Sequence, residues 1–390
     1  MQNLFGQAKN SVFSFALLLS MILASSSVFA QDDSEPITQP KTITTAVPFL
    51  LISPDSRANG MGEANVAIAD NASAMFWNPA GLGFQRGIDG NITHSNWLPA
   101  FNADLFYDYF SAKAHFEDIG TFGLAVTYLN LGTSEFTDER GNSRGSFKSY
   151  EFAITASYGV ELDPSLAVGL GIRFINSVLT PQNVNVGEEV GTGQGRQLAF
   201  DLGVLWKPEF GLYLDNQFRF GLALANIGDK MTYIDQRQAD PLPTTLRLGI
   251  AMTLVQDDYN SMIFATDFTK LLINRKFILD ANGEFTGDPP IVDNVFKAMF
   301  TSWGSSGGGF SSITIGTGFE YWYGKPKLFA IRGGFFYEDA NYGGRQYFTF
   351  GAGLRYDAVG IDFSYLSSIG QQQPLEGTVR FSILVNLESL

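Results

Sequence analysis

The stretch Leu166 to Phe174 (LAVGLGIRF) sets Leu166, Val168, Leu170, Ile172 and Phe174 against Ala167, Gly169, Gly171 and Arg173. Every odd member of this run is small or charged and every even one is apolar. Successive side chains on a strand point to opposite faces of its sheet, so the run predicts a strand with one apolar face and one face made of small or charged groups. The same split recurs at Leu198, Phe200, Leu202, Val204 and Trp206, at Leu246, Leu248, Ile250, Met252 and Leu254, and at Phe348, Phe350, Ala352, Leu354 and Tyr356. Segments of about ten residues that alternate in this way are the pattern of membrane barrels, apolar toward lipid and polar toward the lumen. A soluble sandwich alternates too, and the decision rests on counting.

Such segments fall near residues 88–97, 106–116, 120–131, 148–161, 166–179, 196–208, 218–226, 244–255, 259–271, 310–322, 328–338, 347–356, 359–366 and 376–387. The number is even. Connectors after even strands are mostly short, as at Glu117-Asp118-Ile119, whereas those after odd strands are mostly longer, as at 132–147, 180–195, 227–243 and 272–309. A barrel with short periplasmic turns and long extracellular loops sorts its connectors by parity, and a sandwich has no reason to. The expectation is therefore an all-β, antiparallel transmembrane barrel of fourteen strands. In its longest loop a short helix is expected over residues 291–303, introduced by Pro289-Pro290.

The start of the chain fits export. Lys9, the apolar run Phe15 to Ala24 and the small-residue site at Val28-Phe29-Ala30 have the form of a cleaved signal peptide over 1–30. The run is too short for a membrane-spanning helix, which needs about 20 apolar residues. The 390-residue chain has no cysteine, which excludes disulfides, a lipoprotein anchor and thiolate metal sites. A net charge of −14 argues against nucleic acid as a partner. Aromatics reach 14 % and charged residues only 16 %, below the usual quarter or so, which suits a wall bathed in lipid.

Residues 31–87 precede the first strand, and the barrel proper is expected over 88–390. Within that extension, 48–85 is too long for a linker and too rich in turn formers for another strand. A fourteen-stranded barrel lined by Gly, Ala and Thr leaves room inside, so this segment is expected to fold into the lumen as a hatch. Arg173, Arg219, Arg247, Arg332, Arg355 and Arg380 fall on the lumen side of their strands, as do Glu151, Asp201, Asp267, Glu320, Glu338 and Asp362. Such charges must be paired or wetted. The expected role is a network that seats the hatch rather than a ligand-selective filter.

The segment NASAMFWNPAGL (Asn71 to Leu82), ending on Trp77, Asn78, Pro79, Ala80, Gly81 and Leu82, resembles the N-terminal hatch motif of FadL-like barrels. The opening TITTAVPFLLISPDSRANGMG (Thr42 to Gly62) resembles that of the PorV family of type IX secretion. So do FTDERG (Phe136 to Gly141), IRGGFFYE (Ile331 to Glu338), GGRQYFTFGAGLRY (Gly343 to Tyr356), IDFSYL (Ile361 to Leu366) and VRFSIL (Val379 to Leu384). The resemblance implies an outer-membrane component that binds the C-terminal signal domain of secreted proteins and shuttles them from the translocon to a surface attachment complex containing a sortase. Its partners would be that cargo, subunits of the translocon and of the attachment complex, and outer-membrane lipid. The long loops at 132–147, 180–195 and 227–243 are the candidate contact surfaces. The alternative reading is a FadL-like channel for small hydrophobic compounds.

Enzymatic readings find little support. The two histidines, His94 and His115, sit isolated in strands, and no G-x-S-x-G elbow occurs. Residues 191–195 (GTGQG) lack the lysine and following helix of a phosphate cradle. The acidic pairs Asp138-Glu139 and Glu188-Glu189 lack calcium-loop spacing. Neither an enzyme activity nor a cofactor or metal is expected.

Overall fold

The computed structural model describes residues 42–390 apart from 102, 138–139, 181–183, 187–188, 210–216, 234–238, 279–285, 287–289, 371–372 and 388–390. The expected signal peptide and the first residues of the expected extension lie outside the described residues. Thr42 to Leu390 form one compact unit.

Fourteen strands close into one barrel. In chain order they are β1 (Ile88–Asn96), β2 (Phe106–Phe116), β3 (Gly120–Thr137), β4 (Ser143–Asp163), β5 (Leu166–Val178), β6 (Gln194–Trp206) and β7 (Phe218–Ile227). They continue as β8 (Thr245–Gln256), β9 (Asn260–Leu271), β10 (Ile313–Tyr323), β11 (Phe329–Tyr337), β12 (Gln346–Tyr356), β13 (Val359–Ser368) and β14 (Val379–Asn386). Each pairs antiparallel with its chain neighbours, and β1 closes the ring on β14 from Asp89 opposite Asn386 to Ser95 opposite Arg380. Closure leaves no unpaired strand edge in hydrocarbon, which is the condition for a sheet to cross a bilayer.

The alternation read from the sequence sorts by face. In β6, Leu198, Phe200 and Leu202 are about half exposed, while Ala199 and Asp201 between them, and Leu205 on the same face as these, are buried. Exposed rings pair across strands near the short connectors, Phe116 with Phe122 at 5.8 Å, Phe122 with Tyr158 at 5.0 Å and Trp206 with Phe220 at 5.6 Å. Such a ring band is the interfacial girdle of a membrane barrel.

Three expectations need correction. Residues 132–147 are not an open loop: β3 and β4 run on beyond the wall as a two-stranded ribbon, pairing Thr133 with Lys148 and Phe136 with Gly145. β2 ends opposite Asn130 and β5 opposite Tyr150, so among the described residues this ribbon has no strand on either flank. The loop helix spans only Val295–Thr301 and is capped by Asn294, whose side chain accepts from Lys297 N–H. The residues after Pro290, Ile291-Val292, pair instead with Arg275-Lys276. Finally, β10 begins at Ile313, because 309–312 close a 3-10 turn.

Residues 46–85 lie inside the ring. Arg275 donates to the Thr44 carbonyl at 3.0 Å and Ala46 N–H to the Pro241 carbonyl at 2.9 Å, which puts this end among the long loops. At the other end Thr121, on the first turn of β3, donates to the Gln85 carbonyl at 3.0 Å. The segment thus threads the barrel from loop end to turn end. The wall admits it through glycines: a Cβ on Gly169 would stand 2.3 Å from Pro79 C, and one on Gly334 would stand 2.1 Å from Gly62 N. Gly62 itself holds φ +65 with the Thr317 and Phe335 carbonyls against it, a position no side chain could share.

Candidate functional site

The motif 77–81 is buried and packs closely on the wall glycines Gly159, Gly169 and Gly203. Ala74–Trp77 make a single helical turn, and Asn78 both ends it and caps the following 3-10 turn Pro79–Phe84 by accepting from Ala80 N–H at 3.1 Å. The amide of Asn78 donates to the Val66 carbonyl at 3.1 Å and to Val204 of β6 at 3.0 Å, tying the segment to the wall. Pro79 opens the turn, where its missing N–H costs nothing. Ala80 is fully buried, and Gly81 has the Ala69 carbonyl 2.1 Å from where a Cβ would stand. Trp77 donates its indole N–H to Asp55 at 3.1 Å, and Asp55 also caps the turn Ser56–Asn59.

The lumen charges fall into separate groups rather than one network. Arg173 donates to Asp201 at 2.8 Å, to Thr155 at 3.0 Å and to Asn226, a residue at φ +59 whose N–H is held by Asp201 at 2.7 Å. Arg247 donates to the Phe76 carbonyl at 2.6 Å and lies over the rings of Phe76 and Trp77 at 4.7 and 5.5 Å. Asp267 accepts Asn65 and Val66 N–H at 2.6 and 2.7 Å.

The largest group contains Arg57, Asp70, Glu320, Arg332, Asp362 and Arg355. Arg57 donates to both oxygens of Glu320 at 2.8 and 2.7 Å and pairs with Asp70. Arg332 bridges Glu320 at 2.7 Å and Asp362 at 2.9 Å, and Arg355 holds Asp362 at 2.7 Å over the face of Trp322. Three cations and three anions balance, as burial requires.

Arg380 stands apart, with Trp97 5.9 Å away and its Nε and Nη1 without hydrogen-bond partners among the described residues. Glu338 does not join the lumen groups: it forms a two-pronged pair with Arg345 at 2.7 and 2.9 Å in the loop after β11. Arg219 lies on the lumen side of β7, in line with Gly221, whose Cβ position meets Val66. Glu151 accepts from Ser177 at 2.7 Å.

Sequence reasoning passed over Asp55, Arg57, Glu63 and Gln85, the segment's own anchors. Glu63 accepts from Tyr347 at 2.9 Å and Gln85 donates to the carbonyls of Ala69 and Asn71 at 3.0 Å each. Only Asp55 carried a readable signal, an acceptor three residues before Ala58 N–H at a helix start.

At the loop end a cavity of about 330 Å³ opens between residues 228–232 and 239–244 on one side and residues 272–273 and 293–298 on the other. Leu242, Leu272, Ile273, Val295 and Ala298 form its apolar lining, and Asp229 and Lys230 stand at its polar part. Asp293, also at its edge, accepts from Lys297 at 2.6 Å, Thr301 at 2.8 Å and Asn274 at 2.8 Å. Those bonds hold its carboxyl down at about 2. Tyr233 nearby is pushed up to about 12 by burial. His94 faces outward against Asp108 at 2.7 Å, His115 lies beside Thr121 at 2.9 Å, and among the described residues no three metal-ligating side chains converge.

The sequence profile of the family described as Type IX secretion system protein PorV matches residues 35–276. No curated protein matches the chain by sequence. Among solved structures the chain is similar to the Pseudomonas putida toluene transporter TodX, with a TM-score of 0.52 and 11 % identity over 85 % of this chain and 98 % of that one. It is also similar to the Ralstonia pickettii toluene transporter TbuX (TM-score 0.48, 13 % identity, 86 % and 97 % covered). A Pseudomonas aeruginosa FadL homologue gives a TM-score of 0.46 at 11 % identity, with 88 % and 99 % covered. At 11 % identity the likeness to TodX is one of fold alone, that of an outer-membrane barrel.

Proposed function

The chain belongs to the PorV family of type IX secretion system proteins, and from that premise we propose that it collects exported proteins by their C-terminal signal domain and carries them from the translocon to the surface attachment complex. The observation that carries this reading is where the unfilled surface lies. Residues 46–85 are packed backbone to backbone against the wall glycines, so the lumen holds a structural plug rather than a route. The loop end offers surface to partners, in the ribbon of residues 131–137 and 143–149 and the cavity beside residues 228–232.

Residues 46–85 act in this proposal as a permanent hatch, and Arg57, Arg173, Arg247 and Arg332 brace it. Binding and release of a folded domain make and break no covalent bond, so the barrel serves as carrier and any cleavage belongs to its partners. Affinity purification from a mild detergent extract tests the reading. Recovery of cargo with intact C-terminal domains, or of translocon or attachment-complex subunits, is expected. A deletion strain should retain uncleaved cargo in the periplasm. Normal secretion together with slowed uptake of an apolar nutrient would instead favour the channel for hydrophobic compounds.

A further inference from the structure

The outward face of β9 holds one residue that lipid should not meet. Phe264, Thr266 and Phe268 count outward, and so does Lys270, whose register partners Leu246 of β8 and Ile313 of β10 stand on the same side. Lys270 is nonetheless only 2 % exposed. Its ammonium donates to the Gly307 carbonyl at 2.8 Å and to the Ser312 hydroxyl, with the Trp303 ring 5.7 Å away. The residues that roof it, from 303 to 312, therefore lie against the outside of the wall and not over the lumen.

That segment carries apolar surface left exposed among the described residues. Trp303 packs on Phe310 at 5.4 Å, and Phe310 is 74 % exposed. On the preceding helix Val295–Thr301, Phe296 and Phe300 are 71 % and 81 % exposed, against 37 % for Phe268 and 46 % for Leu248 in the wall. Phe296 and Phe300 are four residues apart and share one helix face. The other face, with Val295 and Ala298, lines the loop cavity. Three such rings in water would be unfavourable, and Phe310 lies in the segment that Lys270 holds on the outer side of β9 and β10, which brings the patch up to the lipid-facing wall. Aromatic rings beside satisfied polar groups suit the boundary between acyl chains and headgroups.

We propose that residues 295–312 form an outer-leaflet anchor, in which Phe296, Phe300 and Phe310 enter the lipid beside β9 and β10 and Lys270 clasps the segment to the wall. The occupant is the bilayer itself, because the patch is continuous with the barrel's lipid-facing belt. The helix then partitions lipid from the extracellular cavity, so that its seating in the leaflet sets the shape of one cavity wall.

The chain has no cysteine, and single spin labels can be placed without background. Full-length protein carrying Phe300→Cys or Phe310→Cys is reconstituted in phospholipid vesicles, and label accessibility to oxygen and to a water-soluble nickel chelate is measured. Leu248→Cys in the wall and Asp118→Cys in a short turn supply the lipid and water references. Labels at 300 and 310 are expected to match the Leu248 reference, with an oxygen-to-nickel ratio severalfold above that of Asp118. Ratios at the water reference would overturn the anchor. Protection from both reagents would also overturn it, by revealing a second copy or another protein on the patch. In a Lys270→Met background that keeps its barrel circular dichroism, the label at 310 should move toward the water reference; an unchanged ratio would remove Lys270 from the proposal.

Discussion

Arg57 illustrates how a single side chain fixes a segment inside a membrane barrel. It lies on the threaded segment, yet two of its partners' oxygens belong to Glu320 on the wall, and Glu320 is shared in turn with Arg332. The group is neutral only as a whole, and removing one member leaves a buried charge without compensation. Arg57→Met should therefore cost about 3–5 kcal/mol, the usual price of breaking a buried pair. Arg57→Met combined with Glu320→Gln should cost clearly less than the sum of the two single changes, because neutrality is restored. Denaturant midpoints of the folded barrel in detergent micelles measure the cycle. Strict additivity of the two single costs would mean that the pair does not act as a unit.

At the scale of elements, the loop 272–312 makes a pH-dependent prediction. Asp293 gathers hydrogen bonds from Lys297 first, then Thr301 and Asn274, and its carboxyl titrates at about 2, below the ordinary value near 4. A lowered carboxyl stabilises the fold fully above its unfolded value, and that contribution fades as pH falls from about 4 toward 2. The helix Val295–Thr301 should thus loosen in that window while the barrel persists, seen as increased mobility of a label at position 300. Asp293→Asn should be mobile already at neutral pH and show no acid step. A label as rigid at pH 2 as at pH 7 would contradict this assignment. The sequence made the wall strands legible because lipid imposes apolar character on every second residue. It did not reveal the ribbon of residues 131–137 and 143–149, since Thr133, Ser134, Glu135, Ser146 and Lys148 stand beyond the wall, where no solvent enforces alternation. The helix start was misplaced for another reason: the pairing of Ile291-Val292 with Arg275-Lys276 is a contact across fourteen or more residues of loop, invisible to local propensity.

For the whole molecule, the question is whether the ring is a pore. Fourteen strands enclose more space than Gly, Ala and Thr can fill, and the threaded segment takes that space through contacts of main chain on main chain. Such contacts have no side chain that could rotate aside: Pro79 faces Gly169, the Val66 carbonyl faces Gly221, and Gly62 faces Gly316 and Gly334. The turn motif 77–81 looked in the sequence like a family emblem, whereas its partners in the wall, Gly159, Gly169 and Val204 among them, lie about 80 to 126 residues away and could not be read locally. Opening would require the segment to leave as a body, breaking the Asp267 contacts to Asn65 and Val66 and the Arg247 contact to Phe76 together. Wild-type protein in planar bilayers is accordingly expected to pass no steady ion current, while a variant lacking residues 46–85, if its circular dichroism remains that of a barrel, should conduct continuously. Sustained conductance from the intact chain would show that the segment yields under ordinary conditions, and the lumen would then have to be counted as a route for small solutes.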